Sequence, residues 1–322
     1  MYKVGTVMQI PVGISACVLG EKVRFDGGHK LNRFMVDELS KYLTLKPVCP
    51  EVGIGMSVPR PAIRLLQLPS EDIRLVDSKN QEVDYTDKMI AFAKQKVSQF
   101  DDLCGYVVCA KSPTCGMERV KLHIPNNNTI PGGSVGIYTR ELMANMPWLP
   151  IEEDGRLNDP VLRENFVFRI FALNDFYHSV RDQLSANAIV KFHSRYKLVL
   201  MAHNPSAYKA LGSMVAHISE WDINEFYLEY RLQFMAAIKE RASRKNKTNV
   251  LMHLQGYFKR SLTKEQKQEL SELIMSYKEG HQPILAPMAL IKHYLREYPD
   301  PYLQLQTFID PYPEDLKLRY GL

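Results

Sequence analysis

The sequence predicts an α/β N-terminal domain with a largely parallel sheet, followed by an all-α C-terminal domain. Three observations carry that prediction. The first half alternates short apolar runs, each closed by glycine or proline, with segments of helical period. Beyond about Asp159 only helical period remains. The charge is also divided: residues 1–185 carry 22 basic and 22 acidic side chains, whereas residues 186–322 carry 19 basic and 14 acidic, so the net +5 lies wholly in the second part. A chain of 322 residues, 45% hydrophobic and 24% charged, is long enough to build two cored domains.

The elements follow in order. VGISACV, from Val12, reads as a first buried strand ending at the Gly20 turn. Gly27 and Gly28 precede an expected amphipathic helix from about His29 to Leu43, with Phe34, Met35, Leu39 and Leu43 on one side. KPVCP is a short second strand stopped by Pro50, and IRLVD (73–77) is a further strand before the polar turn Ser78-Lys79-Asn80. Residues 84–100 place Met89, Phe92, Ala93, Val97 and Phe100 at helical spacing. GYVVCAK (105–111) is a strand broken by Ser112-Pro113. The run VLRENFVFRIFALNDFYHSVRDQL predicts a long helix, followed by helices over roughly 187–202, 205–218, 222–243, 249–259, 263–278 and 284–298. Thr263 with Gln266 makes a capping box, and Pro205 and Pro283 mark boundaries. The domains expected are a catalytic 1–158, a helical connector 159–186 and a helical 187–322.

Cys17, Cys49 and Cys115 each follow a strand-like run in a turn-forming context. In parallel sheets ligands bind outside the carboxyl ends of the strands, so topology brings the three together. Gathered thiolates suit a soft metal or an iron–sulfur cluster, and three rather than four leave one iron without a protein ligand. The absence of any CxxC disfavours zinc ribbons and thioredoxin-type redox motifs. Buried, inert thiols remain the competing reading, and it is the better one for Cys109 and Cys104 in and before the strand 105–111. Glu51, two residues past Cys49, suits a general base or acid, or else an ion pair. Ser112 suits a substrate hydrogen bond or proton relay, or else a turn cap.

Five cysteines, an odd count in a long chain, argue for a reducing, cytoplasmic setting. No run of 18 apolar residues offers a membrane span. The opening MYKVGTVMQIPVGISAC imitates a lipoprotein leader, but Gln9 and Pro11 interrupt its apolar stretch. No obligate protein partner is evident.

The segments GISACVLGEKVRFDGGHK, VCPEVGIGMSVPRP and AKSPTCGMERV resemble the three signature blocks of the thiouracil desulfurase (TudS) family, covering about residues 10–150. NVLMHLQGYFKRSLTKEQKQEL and QTFIDPYPEDLKLRYG resemble the helical YbgA-type domain. Together they resemble the RudS family of two-domain desulfurases acting on the 4-thiouridine of tRNA. That resemblance implies a [4Fe-4S] cluster held by Cys17, Cys49 and Cys115, with Glu51 and Ser112 catalytic and a thiolated nucleobase as substrate. The fourth iron would take the thiocarbonyl sulfur, and the reaction would be hydrolytic. Thr114 stands where a serine is more usual, a change expected to matter little.

Asp26-Gly27-Gly28, flanked by Lys22, Arg24 and Lys30, offers a place for a nucleotide phosphate, or is simply a tight turn. Arg60, between two prolines, faces either the site or the surface. Lys239, Arg241, Arg244, Lys245 and Lys247, followed by Lys259 and Arg260, crowd an expected helix-to-helix loop. A basic loop of this kind suits the phosphates of tRNA, with a solvated face as the plain alternative. Two other functions compete: a desulfurase of free thiouracil or thiouridine nucleotides, and a cluster-bearing RNA sensor without turnover.

Overall fold

The structure, a computed structural model, describes residues 9–319; the leader-like residues 1–8 and the final residues 320–322 lie outside the described residues. The chain divides into two units between Phe166 and Val167. The division falls inside the long helix expected as a connector, Pro160–Ser179.

The first unit contains two four-stranded sheets. One is wholly parallel, in the order β2 (Leu43–Val48), β1 (Ile10–Ser15), β5 (Gly105–Val108), β8 (Ile151–Glu153). Val12, Ile14, Val107 and Val108 are fully buried, as the central strands of a sheet covered on both faces must be. Ser15 pairs with Val48 and Ile14 with Val107, so the carboxyl ends of β1, β2 and β5 lie side by side. The second sheet is mixed: β4 (Ile73–Asp77), β3 (Ile63–Gln67), β6 (Val120–His123), β7 (Thr129–Ser134). Only β4 of these was expected. Between the strands run α1 (Ala16–Leu19), α2 (Pro50–Gly53), α3 (Thr86–Val97) and α4 (Ile137–Asn145).

Of the helix expected from His29 to Leu43, only an irregular helical stretch over 33–41 forms. Residues 20–32 are a loop, followed by short π and 3-10 turns at Phe34–Glu38 and Leu39–Lys41, and Leu43 already belongs to β2. The loop is held elsewhere: the Lys30 and Asn32 N–H groups donate to the carbonyls of Cys17 and Val18. Helical bonding starts only at Asn32, whose carbonyl accepts the Val36 N–H and whose Oδ1 accepts the Met35 N–H as a cap.

After α5 (Pro160–Ser179), the second unit is helical: α6 (Ala186–His203), α7 (Pro205–Ala216), α8 (Ile223–Lys239), α9 (Arg244–Tyr257), α10 (Lys264–Glu279), α11 (Leu285–Glu297) and the short α12 (Pro301–Gln304). The Thr263–Gln266 capping box is formed as expected. Its core is aromatic, with Phe192 stacked on Tyr196 at 4.3 Å and edge-on to Phe176 at 5.0 Å and Phe234 at 5.1 Å. No helix among the described residues is long and apolar enough to cross a membrane.

Candidate active site

The carboxyl ends of β1, β2 and β5 open onto one cavity of about 350 Å³. Cys17, Cys49, Cys115, Glu51 and Ser112 all line it, so the five residues singled out in the sequence converge. Cys17 sits in the single turn of α1, which ends at Gly20 with φ 106°, a left-handed conformation suited to glycine. Cys49 precedes α2 directly, with Pro50 at its first position, and Glu51 follows within the same turn. The loop carrying Ser112 and Cys115 is fixed by α4, whose first N–H groups donate to the carbonyls of Pro113 and Thr114. Gly136 is required at that junction: a Cβ there would lie 2.4 Å from the Thr114 carbonyl oxygen.

Ser112 caps its turn and does more. Its Oγ accepts the N–H groups of Thr114 (3.3 Å) and Cys115 (3.1 Å) and lies 2.9 Å from the Thr114 hydroxyl. Thr114, fully buried, donates in turn to Oε1 of Glu51 at 2.5 Å. With that proton committed, the Ser112 hydroxyl is the donor to Thr114. The result is a directed chain from Ser112 through Thr114 to Glu51. The other carboxylate oxygen, Oε2, accepts from the Cys49 thiol at 3.3 Å and faces the Arg60 guanidinium at 3.9 Å. Arg60 is itself buried, its side chain 4% exposed, and donates to the carbonyl of Val23. Both the catalytic and the plain readings of Glu51 and Ser112 thus have a place in the geometry.

The surroundings shift three of the cavity's four thiols up and one down. Burial, reinforced by the Glu51 carboxylate, pushes Cys49 up to about 11 and drives Cys115 well above the ordinary thiol range. The hydrogen bond to Cys109, together with burial, pushes Cys17 up as well, while the same bond pulls Cys109 down. Cys109 was expected to be an inert packing residue. It is buried, but β5 ends at Val108, so it falls just past the strand and lines the cavity. Its N–H donates to the Ser15 hydroxyl at 3.0 Å, tying the ends of β5 and β1 together. Cys104 is buried outside the cavity lining.

Of the phosphate candidates, Arg24 and Lys30 line the cavity and Lys22, Asp26, Gly27 and Gly28 do not. Lys30 is paired with the buried Asp154 at 3.0 Å. The Gly27 N–H donates to the Arg24 carbonyl and the Gly28 N–H to Asp26, so both are already used in the turn. Sequence reasoning gave Thr114 little weight and passed over Phe25. Phe25 lines the cavity yet is 45% exposed, and the only sign of it was an aromatic residue within the polar stretch EKVRFDGGHK.

In the helical unit, Lys239, Arg241, Lys245, Lys259 and Arg260 are exposed. The expected loop is shorter than the sequence suggested, because α9 begins at Arg244 and takes in Lys245 and Lys247. Arg244 donates to the Tyr277 carbonyl at 2.9 Å near the end of α10, a structural bond. Tyr227 and Tyr230 are core residues, while His253 and Tyr257 are exposed.

Two family matches fall on the two halves of the chain. Residues 12–154 match the family described as 2-thiouracil desulfurase, and residues 197–313 match a protein family of unknown function, DUF1722. The chain is 39% identical over 159 residues to the uncharacterized protein YbgA of Escherichia coli (strain K12), covering 49% of this chain and 94% of that protein. Among solved structures, a [4Fe-4S]-dependent thiouracil desulfidase, TudS, is 21% identical over 47% of this chain and 94% of its own, with a TM-score of 0.36. The chain therefore belongs to the family of YbgA, with its first part matching the 2-thiouracil desulfurase family and its second the DUF1722 family.

Proposed function

We propose that the protein is a [4Fe-4S]-dependent desulfurase that replaces the sulfur of 4-thiouridine in tRNA by oxygen, giving uridine and sulfide. One observation carries this reading: Cys17, Cys49 and Cys115 share a cavity with Glu51 and Ser112. The donor set fits a cluster. The cavity offers thiols and no imidazole, the soft ligands that iron–sulfur groups take. Cys17, Cys49 and Cys115 would hold the cluster. When bound, it supplies an iron with an open position, a soft Lewis acid for a thiocarbonyl sulfur.

The remaining steps belong to the chain's own residues. Glu51 takes a proton from the water that adds to the ring carbon. A carbon–oxygen bond forms, the carbon–sulfur bond breaks, and its electron pair leaves with the sulfur. Water supplies both protons of the hydrogen sulfide, so no oxidant or reductant enters. Thr114 and Ser112 return the proton from Glu51 toward the leaving sulfur. Arg60 keeps the Glu51 carboxylate oriented. Phe25, an exposed aromatic at the cavity, stacks on the pyrimidine. The excess of basic residues in the helical domain supports docking of the RNA backbone there. A stacked thiouridine is then turned outward, at a cost of a few kcal/mol.

The test is an anaerobic incubation of cluster-reconstituted protein with bulk tRNA carrying 4-thiouridine, following the near-ultraviolet band of the thiouridine and the sulfide released. Loss of the band with sulfide in solution is the expected result. Reaction with free thiouridine monophosphate but not tRNA would keep the chemistry and remove tRNA as substrate. Tight RNA binding with an intact cluster and no reaction would replace the enzyme by a sensor.

A further inference from the structure

A second cavity, of about 440 Å³, lies between α6 and α7 in the helical unit. His193, Ser194 and Lys197 line it from α6, and Tyr208, Lys209 and Gly212 from α7, with no acidic side chain among the lining residues. His193 and Lys197 are one helical turn apart, as are Tyr208 and Gly212, so each helix turns one face to the cavity. Neither lysine has an ion-pair partner among the described residues.

His193 gives the cavity its directed donor. The residue is 9% exposed, and its Nδ1 lies 3.0 Å from the Tyr230 hydroxyl. Tyr230 is fully buried, which pushes its phenol up and keeps its proton on. With no other acceptor, that proton goes to Nδ1, so the imidazole carries its own proton on Nε2. Nε2 has no partner among the described residues and points where Gly212 leaves room: a Cβ at Gly212 would stand 3.9 Å from it. An imidazole N–H without a partner, two lysines and two hydroxyl-bearing side chains therefore line one cavity with no counter-charge among them.

We propose that this cavity is an anion site that takes a phosphate group, and that the phosphate belongs to the backbone of RNA. The imidazole N–H donates to one phosphate oxygen, and Lys197 and Lys209 neutralise the charge. The RNA source rests on the docking reading given above; the site itself rests on the geometry alone.

The experiment has two arms on the full-length protein. In the first, tRNA binding is measured over a series of salt concentrations for the wild type, the Lys197→Gln/Lys209→Gln double variant and Gly212→Glu, which places a carboxylate before Nε2. Both variants should bind about tenfold more weakly, and the double variant's salt slope should be shallower by about one to two. In the second, inorganic phosphate is titrated while the nitrogen resonances of His193 are followed, and they should shift in the wild type and not in Gly212→Glu. Wild-type tRNA affinity and salt slope in both variants would overturn the RNA assignment even if free phosphate binds. Wild-type protein that ignores tRNA would overturn docking and the RNA source with it; the phosphate titration then decides the site, and unmoved His193 resonances remove it.

Discussion

The Thr114 hydroxyl donates to Oε1 of Glu51 at 2.5 Å across 63 residues of sequence, and it is the only link between that carboxylate and Ser112 among the described hydrogen bonds. Replacing Thr114 by valine keeps the shape and removes the link. Turnover should fall by about 10²-fold, in the range of a lost proton-transfer partner, while Thr114→Ser restores most of it. The pH profile distinguishes this from simple misfolding: the valine variant should change the profile, and serine should recover it.

Phe25 is the large apolar side chain most exposed among those lining the cavity. If it carries the pyrimidine, Phe25→Ala should raise KM by about tenfold or more with little change in kcat, since base–aromatic stacking is worth about 1–3 kcal/mol. Phe25→Trp should restore binding. Steady-state kinetics on the free nucleotide would show it, and an unchanged KM would remove Phe25 from the substrate.

Four cysteines line the cavity where three were expected to matter. Cys17→Ala, Cys49→Ala and Cys115→Ala should each abolish cluster colour and turnover together. Cys109→Ala should keep both. Absorbance and iron content of the four reconstituted variants answer the question, and loss of the cluster in Cys109→Ala would make it a fourth ligand and close the open iron.

Two pH edges follow from the buried groups. The Cys49 thiol is raised from 9.0 to about 11 in the folded, metal-free protein. Above pH 9 the unfolded chain releases its proton first, so stability is full below pH 9 and declines as pH climbs through 11. At the acid edge, burial and the neighbouring Lys197 lower His193 from 6.5 to about 4. Between those values the unfolded chain binds the extra proton, so the helical unit loses up to about 3 kcal/mol as pH falls from 6.5 to 4. Urea midpoints across the range, with His193→Gln flattening the acid edge, check both.

The helical half was legible because each helix carries its period within its own residues: α10 spans Lys264–Glu279 where the pattern gave roughly 263–278, and its capping box sits where expected. The mixed sheet was not, because β7 is TIPGGS and carries neither alternation nor an apolar run. The His29–Leu43 helix was drawn too long at both ends: Asn32 caps a helical stretch over 33–41, and Leu43 already belongs to β2. At the site, the residues legible in sequence were those at turns. Cys109 hid because a strand one residue longer would have buried it, and Thr114 hid because its importance lies in a partner 63 positions away.

The Ser15–Cys109 bond bears on how a cluster of the kind proposed would be held. It joins two strand ends 94 positions apart, and Cys17 and Cys49 are placed by the same sheet edge. No local stretch of chain can gather these thiols before β2, β1 and β5 have paired. A cluster of the kind proposed would therefore be held by thiols that tertiary pairing gathers, unlike small metal domains whose ligands lie within one short stretch of chain.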